Sequence, residues 1–126
     1  MKLGYVVLYV ESTDKSVEFW TTQIGMSVQS VLELGEHSVV SLSQSPVDVA
    51  LQLVPLEMMK DNPDNLDLAT PSICFYVNNL DAERERLIAN GVEVSEIMQH
   101  GDVATFGFSD NESRWFAVMQ NTVSVK

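Results

Sequence analysis

GYVVLYVESTDKSVEFWTTQIG, residues 4–25, opens on β-branched and aromatic residues and turns helical at Ser12. Residues 4–10 read as a strand, because Val and Tyr side chains pack well on a pleated surface. Ser12 is placed to cap a helix, and Val17, Trp20 and Ile24 then fall on one helical stripe. That spacing makes Trp20 a core residue. Gly25 stops the helix from the C′ position, where a left-handed conformation costs glycine nothing.

Outward from this stretch, three strands are expected at about 27–34, 38–43 and 47–54, separated by turns at Gly35-Glu36-His37 and Gln44-Ser45-Pro46. Residues 55–70 (PLEMMKDNPDNLDLAT) carry four acids, two prolines and no clear period, and read as a long connector. The pattern then restarts. SICFYVN at 72–78 is a strand, Asp81 to Asn90 a helix stopped by Gly91, and strands follow near 92–98, 102–108 and 114–120. With Tyr5 laid on Ser72, Tyr9 falls on Tyr76, Val10 on Val77, Asp14 on Asp81 and Glu18 on Glu85. The order strand, helix, three strands therefore occurs twice, which implies an internal duplication. The first strand of each half is apolar at successive positions, so both of its faces are expected to be covered. The expected fold is α+β: two βαβββ modules, 1–54 and 71–126, joined by the connector 55–70 into a single domain. They would form a curved mixed sheet with the helices on its outer face.

The composition excludes several function classes. Of 126 residues, seven are Lys or Arg and 18 are Asp or Glu, a formal charge of -11. Such a surface repels phosphate backbones and anionic lipid heads, and no basic patch offsets it, so neither nucleic acid nor a membrane is an expected partner. The longest apolar run, Val6 to Val10, is too short to span a bilayer. Lys2 alone before it, Glu11 after it and the lack of a small-residue cleavage site argue against a secretory signal. The single cysteine, Cys74, excludes an intrachain disulfide and points to a reducing cytoplasm. Mid-strand and with no histidine near it in sequence, it reads as a buried, inert thiol. Asp61, Asp64 and Asp67 do not make a calcium loop, because Pro63 interrupts them and the loop glycine is missing.

YVVLYVESTDKSVEFWTTQIGM at 5–26, SICFYVNNLDAERERLIANGVEV at 72–94 and TFGFSDNESRWFAVMQ at 105–120 together resemble the vicinal oxygen chelate superfamily. That group holds glyoxalases, extradiol dioxygenases and bleomycin-resistance proteins. The resemblance covers nearly the whole chain in the right order. It implies that metal-dependent members draw ligands from the first and last strand of each module, slots that fall here at Tyr5, Gln52, Ser72 and Ala117. A divalent metal there needs imidazole nitrogens and a carboxylate. A phenol, an amide, a hydroxyl and a methyl group do not supply them, and a slip by one residue to Leu51, Ile73 or Phe116 is no better. His37 and His100 lie in predicted hairpin turns outside the slots. No metal and no other cofactor is expected.

Residues two apart on a strand share a face. From the slots, that face continues through Val7 and Tyr9, through Val54, through Cys74 and Tyr76, and through Trp115 and Met119. The opposite set, such as Leu8, Val10, Phe75, Phe116 and Val118, faces the helices. The candidate ligand-binding residues are therefore Tyr5, Val7, Tyr9, Gln52, Val54, Ser72, Cys74, Tyr76, Trp115 and Met119. Tyr and Trp offer flat faces with a polar handle, and the net negative charge attracts cations. The resemblance to the acidic, metal-free bleomycin-resistance proteins implies a non-catalytic homodimer. It would sequester a planar or cationic drug, or an aromatic metabolite, in an interface cavity, with modules exchanged between chains as one arrangement. Two alternatives stay open. One is a ligandless structural dimer whose aromatics fill the interface. The other is a glyoxalase- or dioxygenase-like enzyme whose metal is held by atypical ligands such as Glu57, Asp102 or His100 across a dimer. A metal-free enzyme would need Tyr5, Tyr9 or Tyr76 as acid or base.

Overall fold

Ser12 caps the first helix as its position suggests. In the computed structural model, which describes residues 1–121, its hydroxyl accepts from the N–H of Lys15 at 3.3 Å. Residues 122–126, the end of the expected second module, lie outside the described residues. The helix expected between Ser12 and Gly25 has two parts. An α-helix, α1 (Thr13–Glu18), runs into a wider π-helical segment, Phe19–Ile24. The carbonyl of Trp20 ends it by accepting from both Gly25 N and Met26 N, at 3.2 and 2.9 Å. Gly25 takes the left-handed conformation there, with φ 101°. The wider turn replaces the expected stripe: Ser16, Phe19, Trp20 and Ile24 are buried, whereas Val17 is half-buried. Trp20 is fully buried, with the ring of Phe19 edge-on to it at 5.3 Å.

The chain divides into two compact units, Met1–Pro71 and a second that begins at Ser72. In the first, β1 (Tyr5–Val10), β2 (Ser27–Leu34), β3 (His37–Ser43) and β4 (Ala50–Pro55) form a mixed sheet of order β1-β4-β3-β2. β1 and β4 are parallel and the other pairs antiparallel. In the second, β5 (Cys74–Val77), β6 (Met98–His100), β7 (Val103–Ser109) and β8 (Trp115–Gln120) repeat the arrangement as β5-β8-β7-β6. Its helix, α2 (Leu80–Ala89), is capped by Asn79, whose side chain accepts from Ala82 N. The βαβββ order thus occurs twice, in an α+β fold. α1 packs on β3 and β4, and α2 on β7 and β8. Each core lies between sheet and helix. Leu8, Val10, Leu42 and Leu53 fill the first, and Phe106, Phe116, Val118 and Leu87 the second.

Three strands differ from the sequence reading, two of them for a local reason. β4 starts at Ala50, not 47, because residues 45–48 close a turn: Asp48 N donates to Ser45 O at 3.1 Å, and the Ser45 hydroxyl donates to the Asp48 carboxylate at 3.0 Å. β5 is shorter than 72–78 at both ends. The strand expected near 92–98 is mostly irregular, and β6 comes later, at Met98–His100. There Ser95 N donates to Gly107 O, but the Gly107 N–H bonds the Ser95 hydroxyl instead of a backbone carbonyl, both at 2.8 Å. A side chain that takes a ladder position interrupts the strand.

The connector holds a 3-10 turn at Leu56–Met59 and a tight loop beyond it. Asn62 pinches that loop from both sides: its amide donates to Leu66 O at 2.9 Å and its oxygen accepts from Leu66 N at 3.0 Å.

Candidate functional site

The helices cover one face of each sheet, and the sequence-predicted residues lie on the other. In the first unit Val7 stands beside Gln52 and Tyr9 beside Val54 in the parallel β1–β4 pairing, with Tyr5 beside Ala50. All of these are exposed or half-buried, whereas their neighbours Leu8, Leu51 and Leu53 are buried. Gln52 reaches one strand further, its amide 3.4 Å from the Ser41 hydroxyl on β3. A hollow of about 340 Å³ lies between β1 and the end of the connector, with Val7 and Tyr9 on one wall and Leu66 and Pro71 on the other.

In the second unit Cys74 stands beside Ala117 and Tyr76 beside Met119. Tyr76 is 65% and Trp115 49% exposed, values far above those of the buried Phe116 and Val118 between them in parity. Cys74 is also exposed, which corrects the buried-thiol reading. The alternation that packs half-buried Phe75 against Phe108 and Phe116 turns Cys74 outward. What burial remains pushes its thiol pKa above the ordinary range.

A hollow of about 330 Å³ opens on this face. Its floor is the directly paired Gly107 and Ala117. Trp115, Met98, Thr105 and Ser72 stand around it. A Cβ built on Gly107 would lie 3.4 Å from Trp115 Cε3 and 3.7 Å from the Ser95 hydroxyl, so the glycine makes the space. Ser95 is itself held by α2, where the Arg84 guanidinium donates to its carbonyl at 2.9 Å. Sequence reasoning found Ser72 and Trp115 but missed Gly107, Thr105, Met98 and Ser95. A glycine inside the strand pattern VATFGFS is a signal of close approach by another group, and it pointed to this spot.

The four slots that would hold a metal fit one poorly. Tyr5 and Gln52 are not direct neighbours, since Gln52 pairs with Val7. Ala117 has no donor atom, and its neighbours in the sheet are Cys74 and Gly107. Among the described residues no three His, Cys, Asp or Glu side chains come together as a metal-binding group. His37 opens β3 and lines a polar mouth of about 240 Å³ with Glu11, Asp14, Glu36 and Glu57. His100 ends β6 beside the Gly101 turn. Neither lies near the slots along its strand. No helix among the described residues is long and apolar enough to cross a membrane.

Comparison with known proteins matches this architecture. In solved structures the chain resembles a Glyoxalase/bleomycin resistance protein/dioxygenase superfamily member from Sphaerobacter thermophilus DSM 20745. The TM-score is 0.79 at 14% identity, over 95% of this chain and 97% of that one. It also resembles TnmS3, an antibiotic binding protein from Streptomyces sp. CB03234, with TM-score 0.78 at 16% identity over 95% of each chain. At these identities the likeness is one of fold. Among curated proteins, the uncharacterized protein YetH of Bacillus subtilis (strain 168) is 26% identical over 121 residues, 94% of this chain and 98% of its own length. The family model for Glyoxalase/Bleomycin resistance protein/Dioxygenase matches residues 2–117, and the chain belongs to that superfamily.

Proposed function

We propose that the protein is a non-catalytic small-molecule binding protein that holds a planar or cationic drug or an aromatic metabolite and acts as a cytoplasmic homodimer. One observation carries the reading: the faces that hold the metal slots offer no imidazole or carboxylate in them and display exposed Tyr5, Tyr76 and Trp115. A soluble surface normally hides such rings, and Trp115 stands at a hollow of ligand size, which supports a binding role. The antibiotic binding protein TnmS3 has the same fold, which supports this class of activity. Exposed Leu32 and Leu34 on the open side of the edge strand β2 support the dimer, as an apolar surface that a second chain would cover. The single exposed thiol suits a reducing compartment.

The test is native mass spectrometry of the purified chain, before and after incubation with Ni, Zn, Mn and Fe(II). The expected species has twice the 14.0 kDa chain mass and retains no metal. One metal held per chain overturns the reading in favour of a metal-dependent enzyme. A monomer at micromolar concentration overturns the dimer.

A further inference from the structure

On the open face of the second sheet β5, β8 and β7 carry no charged residue around the hollow, and the edge strand β6 adds Met98 and, at its far end against Val103, His100. β5 contributes Cys74 and Tyr76, β8 contributes Trp115, Ala117 and Met119, and β7 contributes Thr105 and Gly107. In a chain that is 20% charged, with eighteen acids, this clearing is selective. Acids of the same unit are placed elsewhere. Asp81, Glu83 and Glu85 ride on α2, Asp110 and Glu112 are paired with Arg114 in the β7–β8 turn, Glu93 and Glu96 precede β6, and Asp102 lies in the turn after it, none of them lining the hollow. The hollow over Gly107 is lined in the same way. It offers the hydroxyls of Ser72 and Thr105, the thioether of Met98 and the indole of Trp115, over the glycine and alanine floor.

A molecule that enters such a space loses water and gains neutral hydrogen-bonding groups and a π face, but no counter-charge. A lone ion gives up its hydration and recovers little of it there. The -11 charge of the chain draws cations from a distance, yet at 0.1 M salt that field is screened beyond about 10 Å, and it supplies no carboxylate at contact. The indole face alone would have to hold the cation. An anion meets the same lack, with long-range repulsion added.

We infer that the hollow over Gly107 takes an uncharged planar aromatic molecule, stacked on Trp115 and hydrogen-bonded through Ser72 and Thr105. This rests on the binding reading above and narrows its ligand class to neutral molecules.

The experiment titrates the full chain at neutral pH with three ring-matched probes: 2-naphthol (neutral), N-methylquinolinium (cationic) and 2-naphthoate (anionic). Binding is read at the Trp115 indole N–H by nitrogen-15 NMR and by calorimetry. 2-Naphthol is expected to shift Trp115 and to bind at least about tenfold more tightly than either ion, with affinity changing less than about twofold between about 50 and about 500 mM salt. Gly107→Val fills the floor and is expected to weaken 2-naphthol at least about tenfold. Trp115→Ala, a change to an exposed side chain that leaves the core intact, is expected to do the same by calorimetry. Methylquinolinium binding as tightly as 2-naphthol, or an affinity that falls with salt, overturns the neutral class and leaves the binding reading standing. 2-Naphthol affinity unchanged in both variants overturns the site. No heat and no Trp115 shift with any of the three overturns both.

Discussion

Gly107 stands directly opposite Ala117 in the antiparallel pairing of β7 with β8, so two adjacent strands present a hydrogen and a methyl group to the same face. Trp115, two residues from Ala117, leans over the gap, its Cε3 only 3.4 Å from where a Cβ on Gly107 would sit. Strand glycine is costly relative to alanine by about 0.5–1 kcal/mol, and the half-exposed indole has room to give. Gly107→Ala is therefore expected to leave stability equal to wild type or up to about 1 kcal/mol higher, read as a shifted urea midpoint at unchanged slope. A loss of that size instead would mean that Trp115 is held rigidly over the hollow.

Asp110 closes the β7–β8 turn from a position where its side chain is 1% exposed. One carboxylate oxygen accepts from Glu112 N and Arg114 N, both at 2.9 Å, and the other meets the Arg114 guanidinium at 3.2 Å. Asp110→Ala strands two amide donors and removes one of the carboxylates paired with the mostly buried Arg114 guanidinium. It is expected to cost about 2–4 kcal/mol in chemical denaturation. Asp110→Asn keeps an acceptor for the amides and should cost less.

The two faces of a sheet differ in what they contribute. Leu53 is fully buried under α1, and Leu53→Ala is expected to cost about 2–5 kcal/mol through lost burial and the cavity left behind. Tyr76 is on the open face, and Tyr76→Ala is expected to stay within about 0.5 kcal/mol of wild type. Comparable losses from both, by thermal or urea unfolding of the isolated chain, would show the open face to be part of a core.

Cys74 is exposed, so it is expected to react with a disulfide reagent such as DTNB in the native protein. Its raised pKa leaves less thiolate at neutral pH than an ordinary cysteine has, because the thiolate is the reactive form. The native rate should therefore fall below that of a free cysteine at about pH 7.5 and climb as pH rises past the usual thiol range near 8.5. A native rate equal to that of the unfolded chain at neutral pH would contradict the shift.

β2 offers a direct test of the dimer. Leu32 pairs with Val39 on the open side, and Val31 pairs with Val40, which shares the helix side with Leu53. If a second chain covers the open side, Leu32→Lys should weaken dimerisation by about tenfold or more and Val31→Lys should leave it nearly unchanged, since a buried unpaired charge is costly and an exposed one is not. Sedimentation equilibrium across micromolar concentrations separates the two outcomes. Equal weakening would point to the strand edge and not to one face.

What the sequence by itself determined follows from short-range regularity. The two βαβββ modules, the cap at Ser12, the glycine stop at Gly25 and the burial of Trp20 all rest on periods and end signals within a few residues. Strand parity likewise sorted Tyr5, Val7, Tyr9, Cys74 and Tyr76 onto the face opposite Leu8, Val10 and Phe75, because the alternation of side chains is built into an extended chain. Tertiary structure decided the rest. Ser95 gave its hydroxyl to Gly107 and so displaced β6 to Met98–His100. A bulge at Gln29 shifted β2 against β3, where Val28 pairs with Leu42 but Ser30 with Ser41. The pairing of Gly107 with Ala117, and hence the hollow beneath Trp115, depends on how the β7–β8 turn aligns the two strands. Register is fixed by hydrogen bonds between segments, and the period of one strand carries no record of its neighbour's alignment.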